Sequence, residues 1–385
     1  MSSNHFKSNL RLNALNIPGW VTRRKIIVIE SDDWGSIRMS STTAFNDLKK
    51  AGIPVQMSHY NLYDSLECNT DLEMLTEVLR KFKDKSDRHP VITGVNIVAN
   101  PDFEAIKANG FTKFEYEPFS DTLKKYPEHD QVLSMWQSAN AQRLLVPVFH
   151  GREHLHVARW MKALQTQNKT THLAFQYQIT GLPIQGMEHE IVPDFQAAFD
   201  IDHPNDIINL KEIIASGLNL FENLYGFRTS YFVPTNGPFN NQLEIDLKNA
   251  GILYINTAKI QREPLGEGKF KTNFRYLGKI NAHNQCYITR NCFFEPAASG
   301  FEKPLDTDWL GNCLKEIETA FRWYKPAIIS THRVNYAGYL SPKNRDAGLN
   351  QLQQLLSIIL KKWPEVEFLT SVELGNCIAS EKRIK

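Results

Sequence analysis

The sequence predicts an α/β fold in which parallel strands alternate with crossover helices in a barrel-like arrangement. Short apolar runs of strand length alternate with longer segments of helical apolar periodicity, which is the spacing of repeated strand–helix units. Polar residues directly follow several of these runs, and in such folds the carboxyl ends of the strands form the functional site. About seven strands are predicted, at residues 25–30, 91–98, 144–149, 231–233, 252–256, 327–331 and 366–370.

Amphipathic helices are predicted between these strands. Residues 71–82 place their leucines and a valine on one stripe, and residues 206–225 form a longer helix that we expect to end at Gly226. Residues 345–362 form another helix, which ends before a proline. Pro147 interrupts the third strand pattern, where a missing backbone N–H is unfavourable.

The length and composition predict one large domain. A chain of 385 residues with 42% apolar residues can bury a full core. The sequence contains neither an internal repeat nor a low-complexity linker, so we expect a single domain over residues 1–385. Residues 180–205 contain several glycines and prolines, and we expect a long loop excursion there rather than a domain boundary.

The charge balance and the cysteines exclude several classes of protein. Lys and Arg total 44 against 42 for Asp and Glu, so the chain has no electrostatic signature of nucleic-acid binding. The five cysteines include no CxxC pair and predict neither a disulfide framework nor a zinc finger. With no secretory h-region and no apolar stretch of about 18 residues, a cytoplasmic protein without a transmembrane segment is expected. The oligomeric state stays open.

Two polar clusters at strand ends contain candidate metal ligands. Asp32 and Asp33 follow the first predicted strand, where they could also be a turn or a helix cap. Adjacent carboxylates repel each other unless a cation or an arginine is near. His150 and His154 follow the third strand and would share one face if a helix began at His150, although His156 could compete as a ligand. Together these residues suit a His/His/Asp site for a divalent metal and favour metal-assisted hydrolysis.

Further polar residues lie near the later strands. His332 follows the strand at residues 327–331 and could be either a site residue or a satisfied core histidine. Arg333, next to it, could be a surface residue or could bind a substrate anion. Trp309 follows Asp308 and is typical of a core aromatic at a capped helix start.

Several of these motifs resemble those of the polysaccharide deacetylase family, also known as the NodB-homology family of carbohydrate esterases. They occur in the family's order, and the resemblance covers roughly residues 24–375. The family motifs TFDDG, HSxxH, RxPY, DxxDW and LxH correspond in turn to residues 31–35, 150–154, 228–231, 306–309 and 330–332. The chain departs from them at Ser31, Gly151 and Ser230, where the family has Phe, a small hydroxyl residue and Pro. These departures imply that the chain would be a divergent member of the family.

The resemblance implies a distorted (β/α)7-type barrel of the glycoside hydrolase/deacetylase kind. It also implies a single catalytic domain that removes N- or O-linked acetyl groups from a carbohydrate in polysaccharide or glycan biosynthesis. A divalent metal, expected to be zinc, would be bound by Asp33, His150 and His154. Asp32 would be the general base, with Arg228 to orient or tune it.

One further role follows from the same resemblance. His332 would be the general acid that protonates the departing amine or alkoxide. We expect the substrate to be an acetylated sugar met inside the cell. The expected substrate-binding residues are Trp34, Tyr231, Trp309 and Arg333.

Three alternatives remain open from the sequence. A barrel glycosidase could use two carboxylates, with Glu295 as the partner of Asp32 or Asp33. A non-catalytic relative could bind carbohydrate while lacking activity. The Asp-Asp-aromatic-Gly run also resembles the YdjC-like deacetylases, which would favour His156 over His150 as a metal ligand.

Overall fold

The computed structural model describes residue 10 and residues 12–182 and 195–383 of the chain, with side chains described as far as residue 381. The loop excursion expected around residues 180–205 falls largely on residues 183–194, which lie outside the described residues. None of the described helices combines the length and the apolar character needed to cross a membrane.

The elements alternate along the chain much as the sequence predicts. The strands are β1 Ile26–Trp34, β2 Ile92–Ile97, β3 Ala99–Pro101, β4 Tyr116–Pro118, β5 Leu145–Gly151, β6 Tyr231–Phe232, β7 Tyr254–Asn256, β8 Ile260–Gly266, β9 Lys269–Phe274, β10 Cys286–Ile288, β11 Cys292–Phe293, β12 Ala327–His332 and β13 Glu367–Phe368. The helices are α1 Thr42–Lys50, α2 His59–Tyr63, α3 Asn69–Arg80, α4 Phe103–Ala108, α5 Phe119–Leu123, α6 Val132–Ala141, α7 Val157–Gln165, α8 Lys169–Gln176, α9 Asp206–Tyr225, α10 Glu244–Asn249, α11 Trp309–Arg322, α12 Pro342–Lys362 and α13 Ser371–Arg383.

The main sheet is parallel throughout and curls into an open barrel. Its strand order is β10-β7-β6-β5-β2-β1-β12-β11, and β13 pairs with the start of β1. If the two ends of this order are joined, the strands follow one another around the barrel in sequence order, from β1 through β2, β5, β6, β7, β10 and β11 to β12. This is the arrangement of a (β/α) barrel. Within the described residues no pairing joins β10 to β11, so the barrel is open along one seam there. The expected distorted (β/α) barrel is confirmed.

All seven predicted strands are present, and the sequence misses two further strands of the barrel. Those two are β10 and β11, which flank the seam and contain three and two residues. The helix prediction holds well for α9, which ends where Gly226 adopts the left-handed conformation with φ +78°.

The position of Pro147 within β5 has a simple explanation. Val233 donates its backbone N–H to the Phe149 carbonyl, so the backbone groups of Phe149 point toward β6. Pro147, two residues earlier, points its backbone to the same side. Because β6 pairs with β5 at Phe149 and Phe232, Pro147 lies before that pairing begins and interrupts no ladder bond.

Strand β1 divides its side chains between two apolar layers. Ile27 and Ile29 belong to the large cluster between the sheet and its helices, whereas Ile26 and Val28 belong to a smaller cluster inside the barrel. Because strand side chains alternate, Glu30 and Asp32 continue the inner face. The inner face of β1 therefore changes from apolar to acidic toward the carboxyl end of the barrel.

A buried ion-pair network lies beside this end of β1. Arg333 is fully buried and contacts Asp64 through Nε at 3.0 Å and Glu67 through Nη1 at 2.9 Å. The expectation that Arg333 contacts a substrate is therefore wrong, because all of its charge is engaged inside the protein. Trp309 is also structural: it begins α11 behind the N-cap Asp308 and is 9% exposed, with its indole N–H donated to Ser299.

We expect Arg333→Met to lower the free energy of unfolding by about 3–5 kcal/mol, because two buried carboxylates lose their cation. Urea denaturation measures the effect. Arg80→Met, at an exposed arginine of α3, is the matched control and should change stability by less than about 1 kcal/mol. Unchanged stability of Arg333→Met, combined with weaker substrate binding, would restore the substrate-contact assignment.

Candidate active site

Three predicted metal ligands meet at the carboxyl end of the barrel. Asp33, His150 and His154 are buried, and each offers a ligand atom within 4.8 Å of the others. The Asp33 Oδ1 atom lies 3.2 Å from Nε2 of His154 and 3.6 Å from Nε2 of His150. This donor set, one carboxylate oxygen with two imidazole nitrogens, is that of catalytic zinc sites. These residues could hold one divalent metal ion.

The backbone of β1 turns Asp33 toward the two histidines. Asp33 has φ +76°, a left-handed conformation that is uncommon outside glycine, and the pairing of β1 with β2 shifts register between Ser31 and Trp34. Such backbone strain is typical of functional sites. Asp32 keeps the inward direction of the strand, so the two adjacent carboxylates serve different partners.

The two histidines do not share a helix. His150 lies in β5, and His154 lies in the loop before α7, which begins at Val157. The prediction of a helical His-x-x-x-His pair is wrong in its geometry, although both side chains reach Asp33. His156 caps α7 by accepting the Arg159 N–H at its Nδ1 atom and is outside the ligand group. Its proposed competition with His150 has no support in the structure.

Hydrogen bonding prepares His150 to be a ligand. Its Nδ1 atom lies 2.8 Å from the Val233 carbonyl oxygen, which only accepts, so Nδ1 must carry the proton. The unprotonated Nε2 atom then faces Asp33 and is buried without a hydrogen-bond partner. Nδ1 of His154 is also buried and unpartnered, and burial lowers the pKa of His154 to about 4 despite the opposing effect of Asp33. The hydrogen bond to Nδ1 of His150 and the lowered pKa of His154 suit neutral imidazole ligands.

Arg38 is an unexpected partner of the candidate ligand Asp33. The guanidinium lies 3.1 Å from Asp33 Oδ2 and 3.7 Å from Asp64, and it packs over the ring of Tyr60. Burial would raise the pKa of Asp33, but Arg38 and the two imidazoles outweigh burial and hold that pKa well below its ordinary value. One Asp33 oxygen therefore faces the histidines while the other faces a permanent cation.

Asp32 is held by a different arginine from the one expected. Arg290, just after β10, contacts both Asp32 oxygens at 2.6 Å and also contacts Glu30 at 2.5 Å. Burial opposes ionisation of Asp32, but Arg290 outweighs it and lowers the pKa of Asp32. Asp32 is therefore an ionised carboxylate at the edge of the cleft.

The assignment of Arg228 as the partner of Asp32 is wrong. Arg228 is exposed before the start of β6 and pairs with Glu222 at 2.8 Å. It therefore precedes its strand, whereas the site lies where the strands end. Tyr231, also expected at the site, is fully buried inside the barrel and donates its hydroxyl to Glu30 at 2.5 Å.

His332 forms the other side of the site. Its Nδ1 atom lies 2.5 Å from a Glu295 oxygen, and its Nε2 atom lies 3.9 Å from Asp32. Burial would lower the pKa of His332, but Glu295, Asp33 and Asp32 together raise it to about 10. Glu295 is in turn fixed by the amide of Asn335 at 2.7 Å. The histidine is thus a protonated imidazolium facing the cleft.

A single cleft of about 880 Å³ joins these groups. Asp32, Asp33, His150 and His332 all line it, together with Arg290. The remaining predicted contact, Trp34, is fully buried and packs edge-on against Trp136 with ring centroids 5.3 Å apart. None of the four predicted substrate-binding residues lines this cleft, because each of those side chains belongs to the core.

Sequence reasoning missed the observed contacts of three residues at the candidate site. Arg38 and Arg290 were not singled out, and Glu295 was considered only as a glycosidase carboxylate. The signal for the arginines is the buried acidic pair itself, since adjacent carboxylates require nearby cations. The acidic pair does not show where in the sequence the arginines lie, because Arg290 is 258 residues from Asp32.

The chain is similar in structure to several hydrolases. They include a probable polysaccharide deacetylase from Pseudomonas aeruginosa PAO1 (8% identity, 92% of this chain and 91% of that chain, TM-score 0.49). Another is Puue allantoinase (10% identity, 93% of this chain and 91% of that chain, TM-score 0.47). A third is the α-amylase AmyC from Thermotoga maritima (8% identity, 92% of this chain and 74% of that chain, TM-score 0.46). No protein-family model matches the chain, and no curated protein matches it significantly. Similarity at this level assigns the chain to no family.

We expect Arg38→Gln to bind Zn²⁺ about tenfold more tightly than the wild type, because a positive charge beside the ligand Asp33 is removed. A titration against a chromophoric chelator measures the affinity. Arg38→Lys keeps the charge and should stay near the wild-type value, and Arg80→Gln is a control at an exposed position. Weaker zinc binding by Arg38→Gln would show instead that Arg38 positions Asp33 for the metal.

Proposed function

We propose that this protein is a metal-dependent hydrolase that removes N- or O-linked acetyl groups from a carbohydrate. We infer that it is a divergent polysaccharide deacetylase with a single catalytic domain. One observation supports the proposal above all others: Asp33 and His150, two members of the ligand group that His154 completes, line the same cleft as an ionised Asp32 and a protonated His332. These are the groups that hydrolysis of an amide or ester requires.

Zinc is the metal we propose for the ligand group. Two neutral imidazoles and one carboxylate are the ligand types of hydrolytic zinc sites, and the unpartnered Nε2 of His150 has a lone pair available for a metal ion. When bound, zinc acts as a Lewis acid toward the acyl carbonyl and lowers the pKa of water. Asp32 stays outside this group because Arg290 engages both of its oxygens.

Asp32 is the proposed general base. Its carboxylate is ionised, lines the cleft and is oriented by two hydrogen bonds from Arg290. It accepts a proton from the attacking water, and the bound arginine keeps its position fixed. Because Arg290 also lowers the pKa of Asp32, the base is available well below neutral pH.

His332 is the proposed general acid. Glu295 accepts at Nδ1, so the imidazolium presents its Nε2–H toward Asp32 and the cleft. From there it donates the proton to the departing amine or alkoxide. Glu295 contacts the histidine rather than the reacting atoms, so its role is to position and charge His332.

The two alternative functions fit the geometry less well. A glycosidase needs two carboxylates with open space between them. Here the His332 ring lies between Asp32 and Glu295, and Arg290 neutralises Asp32. A non-catalytic carbohydrate-binding protein would not require an ionised carboxylate and a protonated histidine in the same cleft as metal-ligand residues. Turnover separates that alternative from the proposed function.

We expect purified protein to bind about one zinc and to release acetate from acetylated saccharides. His150→Ala should lose the metal, whereas His156→Ala, its control, should retain it. Asp32→Asn should retain the metal and lose about 10²–10⁴ in rate, as expected for loss of a general base. Metal analysis and an acetate assay measure both properties. Near wild-type turnover by Asp32→Asn would exclude the assigned role.

The pH dependence of the hydrolysis rate should follow the protonation of His332. A general acid with a pKa of about 10 remains protonated until the pH rises through that value, so the alkaline limb of the rate profile should be near pH 10. Glu295→Gln removes the largest contribution that raises this pKa and should move the limb to lower pH. NMR titration of His332 measures the same change directly. An unmoved limb would mean that another group is the acid.

A further inference from the structure

The open seam of the barrel is covered by a segment near the amino terminus. Residues 12–16 are helical and lie beside the seam between β10 and β11. Asn291, which lies between these two strands, donates its side-chain amide to Asn16 at 3.0 Å and contacts the Pro326 carbonyl. Lys259 donates to the Leu15 carbonyl at 2.8 Å. The segment is therefore bound to the barrel body.

The residues that follow this helix are also hydrogen-bonded to the barrel body. The Trp20 N–H donates to the Leu277 carbonyl at 2.8 Å, and Lys325 donates to the Gly19 and Trp20 carbonyls. Gly19 has φ +99°, and a Cβ atom there would lie 2.5 Å from the Leu277 oxygen. This close packing fixes the direction in which the helical turn meets the seam.

The same segment forms one wall of the catalytic cleft. Leu12, Leu15 and Asn16 line the cleft together with Asp32 and His332. A volume of about 880 Å³ is within the range of enclosed small-molecule sites. A polymer that passes through a site needs a groove that is open at both ends, and here residues 12–16 occupy the side of the seam.

We propose that residues 12–16 close the cleft at the seam and restrict the substrate to short saccharides or to the terminal unit of a chain. This inference rests on the proposed deacetylase function and names the substrate class of that same site. The acetylated sugar enters with its end against Leu12 and Leu15, and any further units extend away from the segment toward solvent. Internal units of a polymer cannot reach Asp32 and His332.

N-acetylglucosamine oligomers of one to six units are the probes. We expect the affinity measured by calorimetry to rise over about the first two units and then to stay constant. Mass spectrometry of the hexamer product should show loss of acetyl from a terminal unit alone. Rising affinity through six units, or release of internal acetyl groups, would overturn the inference while leaving the deacetylase function intact.

Matched variants test the wall directly. Leu15→Trp fills the closed end and should weaken binding of the dimer by about tenfold. Ile17→Trp changes the same segment at a residue that is 58% exposed and outside the cleft lining, and should stay within about twofold of the wild type. Leu15→Ala enlarges the closed end and should relax the selectivity for the terminal unit.

The outcomes separate the two proposals. Equal effects of Leu15→Trp and Ile17→Trp would overturn the role of the segment even if acetate is released. Oligomer binding that shows the expected length limit without any acetate release would overturn the proposed function but support the closed cleft. Absence of both binding and turnover would overturn both.

Discussion

The arginine clamp on the acidic inner face of β1 is the interaction on which the site depends. Glu30 and Asp32 point into the barrel from the same strand face, and Arg290 binds both of them. Glu30 is fully buried and accepts further hydrogen bonds from Tyr231 and Ser371. Buried carboxylates at this spacing would be strongly unfavourable without a paired cation. The clamp therefore allows an ionised Asp32 carboxylate, the proposed base, at the mouth of a largely apolar barrel.

The adjacent aspartates are separated in function because each has its own arginine. Asp32 follows the strand and is neutralised by Arg290, whereas Asp33 turns through a left-handed backbone conformation toward the histidines and Arg38. This division explains how two neighbouring carboxylates coexist in one buried site. It also leaves a single Asp33 oxygen, Oδ1, directed at the imidazoles of the ligand group. The proposed base and the candidate ligand are consequently distinguished by the arginine that each contacts rather than by their residue type.

The barrel and the ligand group could be predicted because their signals are local. Each predicted strand is an apolar run, and Asp33 and His150 lie at the ends of two such runs. The partners could not be predicted, because Arg290 lies 258 residues from Asp32 and only the fold brings the two side chains together. The role of Arg228 was implied by the family resemblance, but Arg228 precedes its strand and faces solvent. The aromatic residues near the motifs were assigned to substrate, although burial in the core accounts for their positions. They are Trp34, Tyr231 and Trp309.

The proposed site binds one metal ion beside an aspartate that is not its ligand. Anomalous diffraction at the zinc absorption edge, from crystals grown with Zn²⁺, tests this arrangement most directly. We expect one peak at about 2.0–2.2 Å from Asp33 Oδ1 and from a nitrogen of His150 and of His154. Asp32 should remain bound to Arg290 in that structure. A peak coordinated by Asp32, a peak at His156, or no peak at the ligand group would show that the proposed metal site is wrong.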